Sequence, residues 1–477
     1  MRETNRKIKI VATIGPASRN PDTIQKLIIA GVNVFRLNFS HGDHTVHRSA
    51  ITMIRKASGA LGRPVAILAD LQGPKIRTGK TRNDEPVTLR TGARVYLTSS
   101  VAECGDRIIS VDYSGLEKEI GPGQKIMIND GAIRLRVKRI DQKQKRVECL
   151  VESGGVYSSR KGVNLPDVAL SIPSLTPKDL RDLRFIAGQD VQYCALSFVR
   201  RAADVEELRK KFRRLRPDIR IIAKIEKPEA AAAIDGILDV ADGIMVARGD
   251  LGVEALPCDV PVLQKTLITR ANACGRIVIV ATQMLESMIE HPLPTRAESS
   301  DVANAVFDGA DAIMLSGETA VGKYPLEAVT MMARIAGTAE ASPFFKSDLR
   351  DLSTRGCRSA HAVCEAAAWA SRDLGNAPVC VFTLSGDTAL YMSKIKNQAP
   401  IFAFSPDRNV VRELALAWNV TPFHIPFRKH VDDLMTGAEK TLLKGTWVKK
   451  GDPLVMVSGA TPVRGATNIM RIKKVAE

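Results

Sequence analysis

Short apolar runs that stop abruptly at charged or hydroxyl residues recur along this chain, separated by stretches of helical spacing. The sharpest is Ile221-Ile222-Ala223-Lys224-Ile225-Glu226, echoed by Ile244-Met245-Val246-Ala247-Arg248-Gly249-Asp250. Each reads as a buried parallel strand that delivers its chemistry at its carboxyl end. Lys224 and Glu226 are two apart, so a strand projects them from one face. With Asp250 arriving from the next strand, they can hold a divalent metal and stabilise a developing oxyanion. A buried ion pair is the structural alternative.

The same pattern predicts strands at 9–14, 34–40 and 65–70, with helices over 22–30 and 45–61. In the second strand Phe35, Leu37 and Phe39 share one face, and Arg36, Asn38 and Ser40 the other. Arg36 suits a phosphate or carboxylate, because its planar fork binds two oxygens; pairing with Asp70 is the simpler use. His41 reads equally as a capping or a packing residue. After Asp70 the period shortens to two, with runs at 87–89, 94–97, 107–111, 125–128, 133–137 and 146–151. Turns such as Gly121-Pro122-Gly123 and Asn129-Asp130-Gly131 separate them. This predicts a small β domain inserted into an α/β domain, with hinges at Gly73-Pro74 and Leu170-Ser171-Ile172-Pro173. A lid that excludes water is its physical use.

Strand and helix alternation resumes with strands at 193–199, 219–225, 243–247, 277–281 and 312–315. Three strands before the insertion and five after it make eight, the number of a (β/α)8 TIM barrel. Asp70, Ser197, Lys224, Glu226, Asp250, Thr282 and Ser316 all fall at strand carboxyl ends, the catalytic face of such a barrel. A third unit starts near Ser342, with helices over 361–374 and 389–396 and strands at 379–383 and 401–404. Its turn Thr383-Leu384-Ser385-Gly386-Asp387-Thr388 can cradle a phosphate or simply cap a helix. The expected division is 1–72 and 172–341 for the barrel, 73–171 for the lid, and 342–477 for a C-terminal α/β unit.

Composition narrows the function classes. The 477 residues are 45% hydrophobic and 25% charged, an ordinary globular balance, and no apolar segment is long enough to span a bilayer. Met1–Lys7 is basic but leads straight into a strand without a signal-peptide core, and the eight cysteines form no CxxC pair. Both features suggest a reduced, cytoplasmic protein. A formal charge of +17 admits nucleic acid or small polyanionic substrates. The densest basic run, 209–216, follows Asp204, Glu206 and Glu207, as in a solvated helix that complements its own dipole. Without a zinc-finger or RRM pattern, neither a nucleic-acid nor a membrane partner is expected.

The motifs resemble the pyruvate kinase family from end to end. They include Arg36-Leu37-Asn38-Phe39-Ser40-His41-Gly42, Gly73-Pro74-Lys75-Ile76-Arg77 and Lys161-Gly162-Val163-Asn164-Leu165-Pro166. Ala223–Glu226, Met245–Gly252, Ala281–Leu285, Pro294–Glu298 and Met314–Thr319 complete the set. The resemblance implies a barrel, an inserted small β-barrel lid and a C-terminal α/β effector domain, assembled as a homotetramer. It implies transfer of the phosphoryl group of phosphoenolpyruvate to ADP, giving pyruvate and ATP. Mg2+, with Mn2+ as a substitute, would be held by Glu226 and Asp250. Lys224 would stabilise the transferring phosphoryl and enolate charge, and Arg36 would hold the phosphate. Ser197, Gly249, Asp250 and Thr282 would contact substrate, Thr282 in the relay that protonates the enolate. Arg77 and Lys161 would grip the nucleotide.

Two departures from the family pattern carry expectations. Many relatives that need K+ have Asp-Thr-Lys-Gly-Pro-Glu after the third strand, where this chain has Asp70-Leu71-Gln72-Gly73-Pro74-Lys75. Lys75 would supply an internal cation, so K+ is not expected to be required, and Asn38, Ser40, Asp70 and Leu71 become a vestigial K+ site. Thr78, by contrast, matches the K+-requiring group. The second departure concerns the resembled effector-phosphate site, Thr383, Ser385, Gly386, Asp387 and Thr388, faced by 458–462 and 465–468. Asp387 stands where several relatives carry a base, which leaves the phosphorylated activator unnamed. The rival readings are a metal-dependent pyruvate-enolate lyase or aldolase and a basic nucleotide- or RNA-binding module.

Overall fold

In the computed structural model, which describes residues 6–101, 103–166, 168, 170–345, 358–428, 430–460, 463 and 465–476, eight parallel strands close into a barrel. They are β1 (Lys9–Thr13), β2 (Val34–Asn38), β3 (Ala66–Asp70), β4 (Tyr193–Leu196), β5 (Arg220–Ile225), β6 (Gly243–Ala247), β7 (Ile277–Ala281) and β8 (Ala312–Leu315). Each pairs with the next and β8 returns to β1. Both faces of these strands are buried, which is why the runs show no alternation. In β5, Ile221, Ala223 and Ile225 meet the outer helices, while Ile222 joins Val11, Val34, Leu68 and Met245 on the barrel axis. In β2, Phe35 and Leu37 are buried against the helices, as expected.

The insertion between β3 and β4 has its own apolar core and a mixed six-stranded sheet. In spatial order its strands are Val163–Asn164, Lys125–Ile128, Ile133–Asp141, Arg146–Ser153, Arg94–Thr98 and Ile108–Ser110. Register shifts after Arg134 and Val137 bend it. The sheet stays open, so the expected small barrel is a half-wrapped one, flanked by two short strand pairs. The two connections to the barrel differ. Gly73 has φ +65°, and a Cβ there would lie 2.9 Å from the Cβ of Ser197. The returning connection is held by the Arg200 guanidinium, which donates to the carbonyls of Leu170 and Ile172.

The C-terminal unit carries β9 (Val379–Phe382), β10 (Ile401–Ser405), β11 (Val420–His424), β12 (Pro453–Gly459) and β13 (Thr467–Lys474), in the order β11-β10-β9-β12-β13. It is fastened to the barrel floor. Ala415 and Leu416 enter the axial apolar cluster, the Tyr193 hydroxyl donates to the Glu413 carbonyl (2.8 Å), and Lys9 Nζ donates to the Val420 carbonyl (2.8 Å). Asp311, fully buried just ahead of β8, accepts from Lys394 and, at 2.9 Å, from Lys396. Burial pushes the Asp311 carboxyl up, but the two ammonium groups outweigh it and hold it below the usual range.

Several expected boundaries shift in detail. The strand expected to reach Val199 stops at Leu196, and Phe198 takes φ +60°, turning the chain at the barrel rim. The helix expected from Ala389 begins at Asp387. Five of the described cysteines are buried, whereas Cys258 is exposed. No described helix is long and apolar enough to cross a membrane.

Candidate active site

The parallel register brings the carboxyl ends of β2, β3, β5 and β6 to one rim, beneath the inserted sheet. A cavity of about 400 Å³ lies there, lined from the barrel by Arg36, Ser197, Lys224, Glu226 and Asp250 and from the lid by Arg77, Arg160 and Lys161. Arg36 Nε is 2.6 Å from Asp70 Oδ2, and a second guanidinium nitrogen donates to the Thr13 hydroxyl (3.1 Å). Lys224 Nζ lies 2.7 Å from Glu226, 3.4 Å from Asp70, and donates to the Ser197 hydroxyl (2.9 Å). Ser197 in turn donates to the Leu71 carbonyl (2.7 Å). Both pairings foreseen as simpler alternatives therefore exist, and they join into one buried network.

Burial raises the Asp70 carboxyl, yet Lys224 and Arg36 outweigh it, so Asp70 stays ionised. Burial opposes the charge of Lys224 too, but Asp70 and Glu226 push its pKa up, so it stays an ammonium. Glu226 is raised, first by burial and then, against the pull of Lys224, by the negative charge of Asp250. Two carboxylates that repel across an exposed mouth suit a hard divalent cation, which takes one or two protein carboxylates and completes its shell with water and phosphate. Among the described residues no group of three or more His, Cys, Asp or Glu is placed to hold a metal ion.

On the next strand Thr282 holds φ +69° and Gln283 +55°, a conformation unusual for branched or bulky residues. Gly249 N–H donates to Thr282 Oγ1 at 2.6 Å, and Arg248 pins the Thr282 carbonyl at 2.9 Å while pairing with Asp301 at 2.5 Å. On the third-strand side, Ser40 N–H donates to Asn38 Oδ1 (3.0 Å). Lys75 is exposed at the cavity edge, and no hydrogen bond joins it to Asn38, Ser40 or Asp70 among the described residues. The Thr78 hydroxyl accepts from Lys161 N–H (2.9 Å), so its oxygen serves the lid. His41 is exposed, and Asp43, not His41, caps the helix that follows.

Arg160, in a turn at φ +59°, was not singled out from the sequence, although it immediately precedes the motif that opens with Lys161. Lys227, 3.2 Å from Glu254, was missed as well; Asn164 of the lid donates to Glu254 (3.0 Å). Its only sequence signal is adjacency to Glu226.

The family model described as pyruvate kinase, barrel domain, matches residues 5–329, and that described as pyruvate kinase, alpha/beta domain, matches 361–473. The chain belongs to the pyruvate kinase family. It is thus a phosphotransferase by family. Pyruvate kinase 2 of Synechocystis is 42% identical over 474 residues, covering 98% of this chain and 79% of that one. A Staphylococcus aureus pyruvate kinase is 43% identical over 474 residues, covering 99% and 81%. A crystal structure of a pyruvate kinase from Cryptosporidium parvum superposes with a TM-score of 0.92 at 34% identity, covering 99% of this chain and 97% of that one.

The hydroxyl-rich turn of the C-terminal unit lines a second pocket. Thr383, Ser385, Thr388, Arg428, Ser458 and Thr467 face it, with Phe404 and Phe427 as aromatic walls. Gly386, at φ +87°, caps the helix Asp387–Lys394. Asp387 is not part of that lining; one carboxylate oxygen accepts from Ser385 (2.9 Å) and the other lies 3.3 Å from Arg220. Gly459 and Gly465 line the pocket, Ala460 N–H donates to Asn468, and Thr461 and Pro462 lie outside the described residues.

Proposed function

We propose that this chain transfers the phosphoryl group of phosphoenolpyruvate to ADP, yielding pyruvate and ATP in the cytoplasm. The observation that carries the reading is the network of Arg36, Asp70, Lys224 and Glu226 facing the lid cations Arg77, Arg160 and Lys161 across one cavity. The two cations and two carboxylates of that network cancel, so it brings no net positive charge. Polyanionic substrates, which oppose one another by roughly 4 kcal/mol per close charge pair at an effective dielectric near 20, need more positive charge. Arg77, Arg160 and Lys161 supply it from the lid for the nucleotide phosphates. A metal at Glu226 and Asp250, Mg2+ or Mn2+, neutralises charge on the phosphoryl oxygens.

In this reading Arg36 orients the phosphate of phosphoenolpyruvate, with its Nε held by Asp70. Lys224 stabilises charge on the transferring group and on the enolate. Ser197, Gly249 and Asp250 contact substrate, and Thr282 belongs to the proton path to the enolate carbon. Segment 73–171 closes over the reactants on its two connections to the barrel parts, 1–72 and 172–341. Lys75 serves as an internal cation, so K+ is not required. The 342–477 unit takes a phosphorylated activator at Thr383, Ser385, Gly386 and Thr388, and the assembly is a homotetramer.

The test is pyruvate release from phosphoenolpyruvate with Mg2+, with and without ADP and K+. ADP-dependent release in both buffers is the expected result. Release only with K+ would keep the reaction and discard the role of Lys75. Release that ignores ADP would favour the lyase.

A further inference from the structure

The strand β5 begins on the barrel floor with Arg220 and delivers Lys224 and Glu226 to the opposite rim. It is hydrogen-bonded on both sides, to β4 and β6, and runs without a break between its two ends. Arg220 sits between barrel and C-terminal unit and serves three acids at once. Its Nε is 3.2 Å from Glu413, its Nη1 3.6 Å from Asp242 and its Nη2 3.3 Å from Asp387. Nη2 also donates to the Ser385 carbonyl at 2.8 Å. One cation shared among three carboxylates has no single best partner, so a change at one acid redirects the guanidinium toward the others.

Asp387 and Ser385 are where such a change enters. The Ser385 side chain lines the C-terminal pocket, yet its hydroxyl donates to Asp387. Ser458, also in the lining, is buried and its hydroxyl has no partner among the described residues. An anion bound in the pocket would compete for the Ser385 hydroxyl, which now donates to Asp387, and would repel that carboxylate toward Arg220.

We propose that Arg220 is a positioning residue that relays occupancy of the C-terminal pocket to Lys224 and Glu226 at the other end of its strand. The proposal rests on the reading of that pocket as an effector site. By linkage, an effector that tightens phosphoenolpyruvate binding must itself be tightened by phosphoenolpyruvate to the same degree.

The test uses the full-length protein and two single-phosphate probes, adenosine 5′-monophosphate and ribose 5-phosphate. Probe affinity is measured by calorimetry with and without phosphoenolpyruvate, and KM for phosphoenolpyruvate with and without probe. In the parent protein at least one probe is expected to lower KM, with a coupling of about fivefold or more. In Arg220→Gln the probe still binds, kcat without probe stays near the parent value, and the coupling falls to about one in both directions. Arg220→Lys guards against a folding defect. It keeps a cation for Glu413 and Asp242 but loses the fork that also reaches Ser385, and is expected to lose most of the coupling. Full coupling in either variant overturns the relay while leaving the pocket reading intact. A parent protein that binds neither probe removes the pocket reading and the relay with it.

Discussion

Lys224 and Glu226, two residues apart on one strand end, hold each other at 2.7 Å while Asp70 approaches the same ammonium at 3.4 Å. The lysine is therefore the counter-ion shared by two buried carboxylates, and in the proposed reaction it also supplies charge. Lys224→Met should lower kcat by about a hundredfold to a thousandfold, the usual result of removing a preorganised donor. Steady-state rates at saturating phosphoenolpyruvate and Mg2+ measure this. A loss confined to KM would refute the transition-state role.

Thr282 holds an unusual backbone conformation while its Oγ1 accepts from Gly249. Thr282→Ala leaves that N–H without its partner and should destabilise the protein by about 1–3 kcal/mol. Thr282→Ser keeps the oxygen and should retain most of the activity. Denaturation midpoints and turnover of the two variants, compared side by side, decide whether the hydroxyl or the fold around it matters.

Glu413 is pushed up to about 7 by burial, even though Arg220 pulls the other way. A carboxyl whose folded pKa exceeds its ordinary 4.5 favours the folded state most at low pH. That contribution fades as pH rises from about 4.5 to about 7 and is worth on the order of 3 kcal/mol in all. Glu413→Gln removes this slope. Chemical denaturation at pH 5 and pH 8 should show a stability difference between the two pH values that changes by that amount relative to the parent. An unchanged difference would mean that the carboxylate is not protonated in this range.

Gly73 turns the chain at φ +65° where an added Cβ would sit 2.9 Å from the Ser197 side chain. Gly73→Ala should therefore disturb Ser197, which carries the Lys224 hydrogen bond, and slow catalysis more than it weakens the fold. About tenfold in kcat/KM is the expected scale, equal to about 1.4 kcal/mol and within the cost of a strained residue. Equal losses in activity and denaturation midpoint would point to misfolding instead.

With Lys75 in its proposed role of internal cation, Lys75→Glu should bring activation by K+. An activation of about tenfold at constant ionic strength requires only part of the roughly 4 kcal/mol available to one close charge pair. Rates in K+ and in tetramethylammonium buffers distinguish the outcomes, and a variant equally active in both would dismiss Lys75 as an internal cation.

The barrel strands were legible because burial on both faces writes continuous apolar runs, and the lid because a half-buried sheet writes alternation. Whether the lid sheet closed was not legible, since the register shifts after Arg134 and Val137 depend on strand pairing. Lys224, Glu226 and Asp250 stood out at the abrupt ends of apolar runs. Arg160 did not, because its place in the cavity comes from a turn conformation that leaves no periodic trace. Asp387 looked like part of a phosphate cradle. Its partner, Arg220, lies 167 residues away, and only the docking of the two units brings them together.

The buried Asp311 has a further consequence for how this chain can be recombined. Its two ammonium partners, Lys394 and Lys396, belong to the other unit, so neither half is electrically complete alone. A chimera that joins this barrel to the C-terminal unit of a relative lacking those lysines would strand a carboxylate in a dry interface. One that makes the reverse graft would take from both ammonium groups the carboxylate they share. Exchange of the C-terminal unit among relatives is thus constrained to donors and recipients that carry the three residues together.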